Sequence, residues 1–138
     1  MPQDTAQHKV YCGPFAISVV TGLSYEEACV AVRRYQRLPA DAEVTLMNAS
    51  ELVGSMALLG YQCIMYDPPR MQPLKTLHHF VRNMNPKFNG MCILSLHEHF
   101  CVLTADEYID NQNPGGVPLW AVPEPRRRVH HIYEVCKL

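Results

Sequence analysis

The order of segments along this chain predicts an α+β fold. Three observations carry the prediction. The first half places apolar residues at helical spacing between residues that cap helices. The second half changes to apolar runs of strand length joined by tight connections. Helices come first and antiparallel strands after, without the regular alternation that a parallel sheet needs. At 138 residues, one domain spanning 1–138 with a real core is expected.

Each element has its own signal. Residues 1–11 are polar and read as extended. From Pro14 the pattern turns helical through Phe15, Ile17, Val19 and Val20, with proline in the first turn, where its missing N–H is not needed. Gly22 ends that helix. Ser24 caps a second one, and Glu27 three residues later completes a capping box before Ala28, Val30, Ala31 and Val32. Arg33 and Arg34 near its end suit the helix dipole. Leu38-Pro39-Ala40-Asp41 is a loop, and Asn48 or Ser50 starts a third helix through Leu52, Met56, Leu58 and Leu59, with Gly60 at its close. Tyr61 to Tyr66 reads as a strand stopped by Pro68-Pro69, and Leu74 to Val81 as a fourth helix. Met91 to Leu96, Phe100 to Thr104 and Tyr108 to Asp110 read as a meander of three strands. Asn111 to Pro118, rich in Gly, Pro and Asn, reads as a loop, and Val129 to Val135 as a last strand. The chain holds no internal repeat and no low-complexity segment.

Composition narrows the function classes. Net charge is −1 with His neutral, so no global field recruits nucleic acid or an anionic membrane. Arg126-Arg127-Arg128 is the one dense basic cluster and reads as a solvated turn or strand start. The six cysteines (Cys12, Cys29, Cys63, Cys92, Cys101 and Cys136) sit mostly in apolar runs, where a free thiol packs as a small hydrophobe. No charged-then-apolar leader opens the chain, and no apolar run approaches the roughly 20 residues that span a bilayer. A cytoplasmic protein with free thiols and no membrane partner is expected.

The chemistry concentrates in Tyr11-Cys12-Gly13-Pro14, His99 and Asp110. A thiol is a poor nucleophile until deprotonated, so a catalytic cysteine needs a helix N-terminus, a basic partner, or both. Cys12 stands at the mouth of the first helix. His99 begins a strand beside a turn, where its ring can face a cleft and act as general base. Asp110 ends the next strand, which pairs back towards His99 and brings an acid to orient the imidazole. Gln7, five residues before Cys12, can donate its amide to an oxyanion, with Gln3 a weaker candidate. The other histidines do not build a metal site on spacing. A turn at His97-Glu98 separates His97 from His99, and the adjacent pairs His78-His79 and His130-His131 point in different directions.

Gln7…Cys12-Gly13-Pro14, Thr21-Gly22-Leu23-Ser24-Tyr25-Glu26-Glu27-Ala28 and Leu58-Leu59-Gly60-Tyr61 together resemble the papain-like cysteine peptidases of the bacteriocin-processing, C39-like type. The tail is similar to small phage and bacterial members of that superfamily. There a segment like His99-Phe100-Cys101-Val102-Leu103 is followed by one like Tyr108-Ile109-Asp110-Asn111, and a strand like Arg128 to Val135 closes the sheet. The resemblance covers nearly the whole chain. It implies N-terminal helices packed on a C-terminal antiparallel sheet, Cys12 as nucleophile, His99 as base, Asp110 as orienting acid and Gln7 as oxyanion donor. Two positions depart from the pattern. Glu98 replaces a glycine often found before the family's histidine, and Asn111 follows Asp110. Papain uses an asparagine as third member, so either side chain can hold His99.

The expected function is a cysteine hydrolase acting on a peptide, isopeptide or other amide, with no metal or organic cofactor and a peptide or protein as partner. Cys12 lies a dozen residues from Met1. If Met1 is the native start, no room is expected for an inhibitory N-terminal segment, which argues for a narrow substrate. The loop from Asn111 to Pro125 is expected to border the cleft and help choose it. Acyl transfer and deamidation use the same residues. The rival of another class is an inactive papain-like module, for example a phage component that engages a host protein.

Overall fold

The computed structural model describes residues 10–66, 76–83 and 91–138. Within them the chain forms α1 (Cys12–Thr21), α2 (Tyr25–Gln36), α3 (Ala49–Leu58), β1 (Tyr61–Tyr66), α4 (Leu77–Asn83), β2 (Met91–Leu96), β3 (His99–Thr104), β4 (Glu107–Asp110), β5 (Asn113–Pro118), a 3₁₀ turn (Leu119–Ala121) and β6 (His131–Lys137). The six strands make one antiparallel sheet in the order β1-β6-β2-β3-β4-β5. The class is α+β, as the segment order predicts.

The helix ends follow local chemistry. Ser24 accepts from the Glu27 N–H while the Glu27 carboxylate accepts from the Ser24 N–H, a complete capping box. Asn48 and Glu51 do the same for α3, which settles its start: Asn48 has a glutamate three residues on and Ser50 does not. α1 begins at Cys12, two residues before the proline. Pro14 is then the third helical residue, still among the positions whose N–H has no intrahelical partner. Gly22, in the left-handed region, closes that helix. The fourth helix is expected from Leu74, but residues 67–75 lie outside the described residues, as does Pro68-Pro69. The observed α4 starts where the Thr76 hydroxyl accepts from the His79 N–H.

The last strand does not lie at an edge. β6 sits between β1 and β2, pairing Cys63 with Val135 on one side and Ile93 with Tyr133 on the other. It starts two residues later than Val129, and the His130 N–H already reaches the Ser95 carbonyl. Asn111 to Pro118, expected as a loop, contains β5 instead. β5 pairs only with β4, and its register slips between Tyr108↔Val117 and Asp110↔Asn113. An outermost strand with a bulge accepts proline, whose missing N–H needs no partner there, and Gly116 takes the φ of 86° that the irregularity requires.

Strand alternation builds a core on each face. Ile93, Phe100, Val102 and Tyr133 pack with Ala16, Ile17, Val32, Leu52 and Met56 from α1, α2 and α3. Cys92, Leu94, Cys101, Leu103, Tyr108 and Ile132 pack with Leu77 and Phe80 of α4, and with Val122 and Val129. Burial on both faces is why the strands read as continuous apolar runs. The Arg126-Arg127-Arg128 turn belongs to the second face. Carbonyls of Pro125 and Arg127 accept the first N–H groups of α4, and the Arg127 guanidinium donates to the His97 carbonyl. Among the described residues no single helix is long and apolar enough to cross a membrane.

Candidate active site

Cys12 and His99 come from different layers and meet at one end of the sheet. Cys12 is the first residue of α1, and no side chain caps that helix end. Its position at the positive end of the helix favours a thiolate. Gly13 is buried under Met47, whose side chain occupies the space that a Cβ at 13 would fill, so this turn packs closely only with glycine. His99 opens β3 straight after the two-residue turn His97-Glu98, opposite Leu96. Glu98 stands at φ 51°, a left-handed position in which glycine is less strained, so this turn is made at some conformational cost.

Asp110 ends β4, which the Leu103↔Tyr108 register lays against β3. Its Oδ2 lies 3.0 Å from His99 Nε2 and accepts from the Tyr108 hydroxyl at 2.6 Å. Its Oδ1 accepts from the Gln112 N–H, the Asn113 N–H and Asn113 Nδ2 at 3.0, 2.8 and 3.0 Å. Five donors on a side chain only 3% exposed hold the carboxylate in one orientation. With Nε2 turned to Asp110, His99 has Nδ1 left for the Cys12 thiol, to which it is hydrogen-bonded. Cys12 Sγ also accepts from the Phe100 N–H at 3.3 Å.

The electrostatics follow from these contacts. Burial alone raises the Asp110 pKa, but the His99, Tyr108 and Asn113 donors outweigh it and hold the carboxyl well below its usual range. Burial alone lowers the His99 pKa, but hydrogen bonds to Asp110 and Cys12, with their negative charge, push it up to about 9. Burial also opposes a Cys12 thiolate. The His99 hydrogen bond, the Phe100 N–H and the imidazolium charge overcome it, leaving the thiol below its ordinary value. Buried thiols elsewhere go the other way: desolvation pushes Cys63 up to about 11 and Cys92 up to about 12, and raises Cys29 and Cys101.

Cys12, His99 and Asp110 are therefore brought together as the spacing predicts. Asn111 is not a second partner for His99, because its Nδ2 donates to the Val10 carbonyl at 2.8 Å. Gln7 and Gln3 lie outside the described residues. His97 turns to His130, with ring centroids 6.3 Å apart, and burial with His131 and His97 nearby lowers the His130 pKa. Among the described residues no three His, Cys, Asp or Glu side chains group to hold a metal.

A cavity of about 220 Å³ adjoins His99, walled by Met47 and Asn48 before α3 and by Glu98, Phe100, His130 and His131 of β3, β6 and the residues just before them. The stretch from Asn111 to Pro125, expected to border the cleft, lines none of it. Sequence reasoning missed Tyr108, although it stands two residues before Asp110 and so shares its strand face. It also missed the Phe100 N–H, a backbone contact with no sequence signal. No protein-family model and no curated protein matches the chain, so a functional reading rests on this geometry.

Proposed function

We propose that this chain is a cysteine hydrolase with a papain-like fold of the C39-like type, cleaving a peptide, isopeptide or other amide bond. One observation carries the reading. A thiol at a helix N-terminus is hydrogen-bonded to an imidazole whose other nitrogen is held by a buried carboxylate at 3.0 Å. That arrangement favours a thiolate–imidazolium pair between the lowered Cys12 pKa and about 9, where His99 loses its proton.

In the proposed reaction, Cys12 Sγ attacks the carbonyl carbon. The Cys12 N–H, at the uncapped helix end, is placed to receive the oxyanion, with Gln7 as a second donor on the family resemblance. His99 gives its proton to the leaving nitrogen, the C–N bond breaks, and a thioester on Cys12 remains. His99, now neutral, takes a proton from water. Hydroxide adds to the thioester, and collapse releases the acid and restores the pair. Asp110 stays ionised throughout and stabilises each imidazolium. The open cavity beside His99 offers room for a substrate side chain next to the scissile bond.

Acyl-enzyme capture tests the reading without a known substrate. A panel of short peptide thioesters is incubated with the protein and with Cys12→Ser and His99→Ala, and adducts are read by intact and peptide mass spectrometry. The expected result is an acyl adduct on Cys12 that forms and then hydrolyses in wild type, and does not form at that rate in either variant. Acylation spread evenly over Cys12 and the other half-buried thiol, Cys136, or unchanged in His99→Ala, would overturn it.

A further inference from the structure

The turn after β4 carries two adjacent side chains that hold opposite halves of the site. Asp110 holds His99 through Oδ2 at 3.0 Å. Asn111 sends Nδ2 to the Val10 carbonyl at 2.8 Å. That carbonyl belongs to the peptide unit joining Val10 to Tyr11. The N–H of the same unit donates to the Tyr25 hydroxyl of α2 at 2.9 Å. Both polar groups of one peptide plane, just ahead of Cys12, are thus gripped: one from the sheet layer, the other from the helical layer. A peptide unit is rigid, so fixing both its groups fixes its tilt. The tilt sets how the chain enters α1, where no side-chain cap does that work.

We infer that Asn111 is a positioning residue which, with Tyr25, sets the place of Cys12 relative to His99; the inference rests on the proposed Cys12–His99 pair. The amide orientation has a physical reason. Turned over, the Asn111 oxygen would face the Val10 oxygen, two acceptors in repulsion. Its Oδ1 is buried with no partner among the described residues, so the Nδ2 bond is the contact that holds the amide. A slip of roughly 1 Å in a catalytic arrangement is costly. The Phe100 N–H donates to Cys12 Sγ at 3.3 Å, an ordinary length for a sulfur acceptor that a slip of that size would break. Loosening the entry to α1 therefore weakens the contacts that keep Cys12 ionised. Asp110 and Asn111 divide the work: the acid holds the base, and the amide holds the strand that delivers the nucleophile.

The test uses Asn111→Leu, similar in size without the donor, and Tyr25→Phe, which releases the other side of the same peptide. For wild type and each variant, the rate of Cys12 alkylation by iodoacetamide is followed against pH by peptide mass spectrometry, with circular dichroism to establish folding. The expected result is a midpoint that rises by about 0.5–1 pH unit in each variant, towards the ordinary thiol value of about 8.5. If Asn111→Leu does not fold, Tyr25→Phe alone carries the same expectation. A depressed wild-type midpoint that stays in place in the folded variants, even with slower labelling, marks a structural role and overturns the inference while leaving the proposed function standing. A wild-type midpoint near about 8.5 overturns the pair itself and this inference with it.

Discussion

Replacing Asp110 with asparagine exchanges one carboxylate oxygen for an NH₂ group and disturbs five hydrogen bonds. The amide oxygen can keep the three donors now on Oδ1, from Gln112 and Asn113. Its NH₂ then faces His99 Nε2 and the Tyr108 hydroxyl, which at present donate to Oδ2 at 3.0 and 2.6 Å. A hydrogen bond to a charged partner contributes about 1.5–3 kcal/mol and a neutral one about 0.5–1.5. Downgrading two bonds, with the other three weakened, gives a loss of about 2–4 kcal/mol at pH 7. Domains of this kind have about 5–15 kcal/mol in hand, so the variant should still fold. Urea unfolding followed by far-UV circular dichroism measures the loss. Trp120 is a poor reporter, being already 86% exposed in the folded chain. The pH dependence has a definite sign. Asp110 has a folded pKa below its unfolded value, so its contribution is full above about 3.9 and is lost as pH falls through the folded value. The gap between wild type and Asp110→Asn should therefore shrink in acid. A gap under about 1 kcal/mol at pH 7, or one that widens on acidification, refutes the five-donor picture.

Three further outcomes are expected. Tyr108→Phe removes one donor from Asp110 Oδ2 without changing shape, and should lower stability by about 1.5–3 kcal/mol in the same urea assay; no loss would mean the hydroxyl contact is not made. His99 has a folded pKa raised to about 9, so the stability it brings is full below about 6.5 and is lost as pH rises through about 9. Cys12 loses a proton on folding as His99 gains one, so the fall shows only once the thiol is removed: the urea midpoint of Cys12→Ala should drop between these pH values, and adding His99→Gln should flatten that drop. Ser24→Ala breaks the capping box of α2 and should cost about 1 kcal/mol, read as a lower melting temperature with unchanged Cys12 labelling.

Much of this architecture is legible because its signals are local. The Ser24/Glu27 and Asn48/Glu51 boxes and the end of α1 at Gly22 are written in four-residue patterns, and β2 and β3 in unbroken apolar runs. β5 is not legible, because Pro114, Gly115, Gly116 and Pro118 oppose strand formation until an outermost position and a bulge make them acceptable. Nor is the central place of β6, a pairing between distant segments that no local pattern encodes. Of the candidate site, Cys12, His99 and Asp110 follow from their places at element ends. The role of Asn111 does not, because spacing gives it no reason to prefer a carbonyl 101 residues earlier over the ring beside it.

The most direct measurement is the pH dependence of iodoacetamide labelling of all six cysteines, resolved by peptide mass spectrometry, in wild type and His99→Ala. Cys12 should react fastest, keep its reactivity well below the ordinary thiol value of about 8.5, and lose that advantage without His99. A Cys12 that labels in step with Cys136, the other half-buried thiol, or that is indifferent to His99→Ala, would contradict a thiolate–imidazolium pair and with it a cysteine hydrolase.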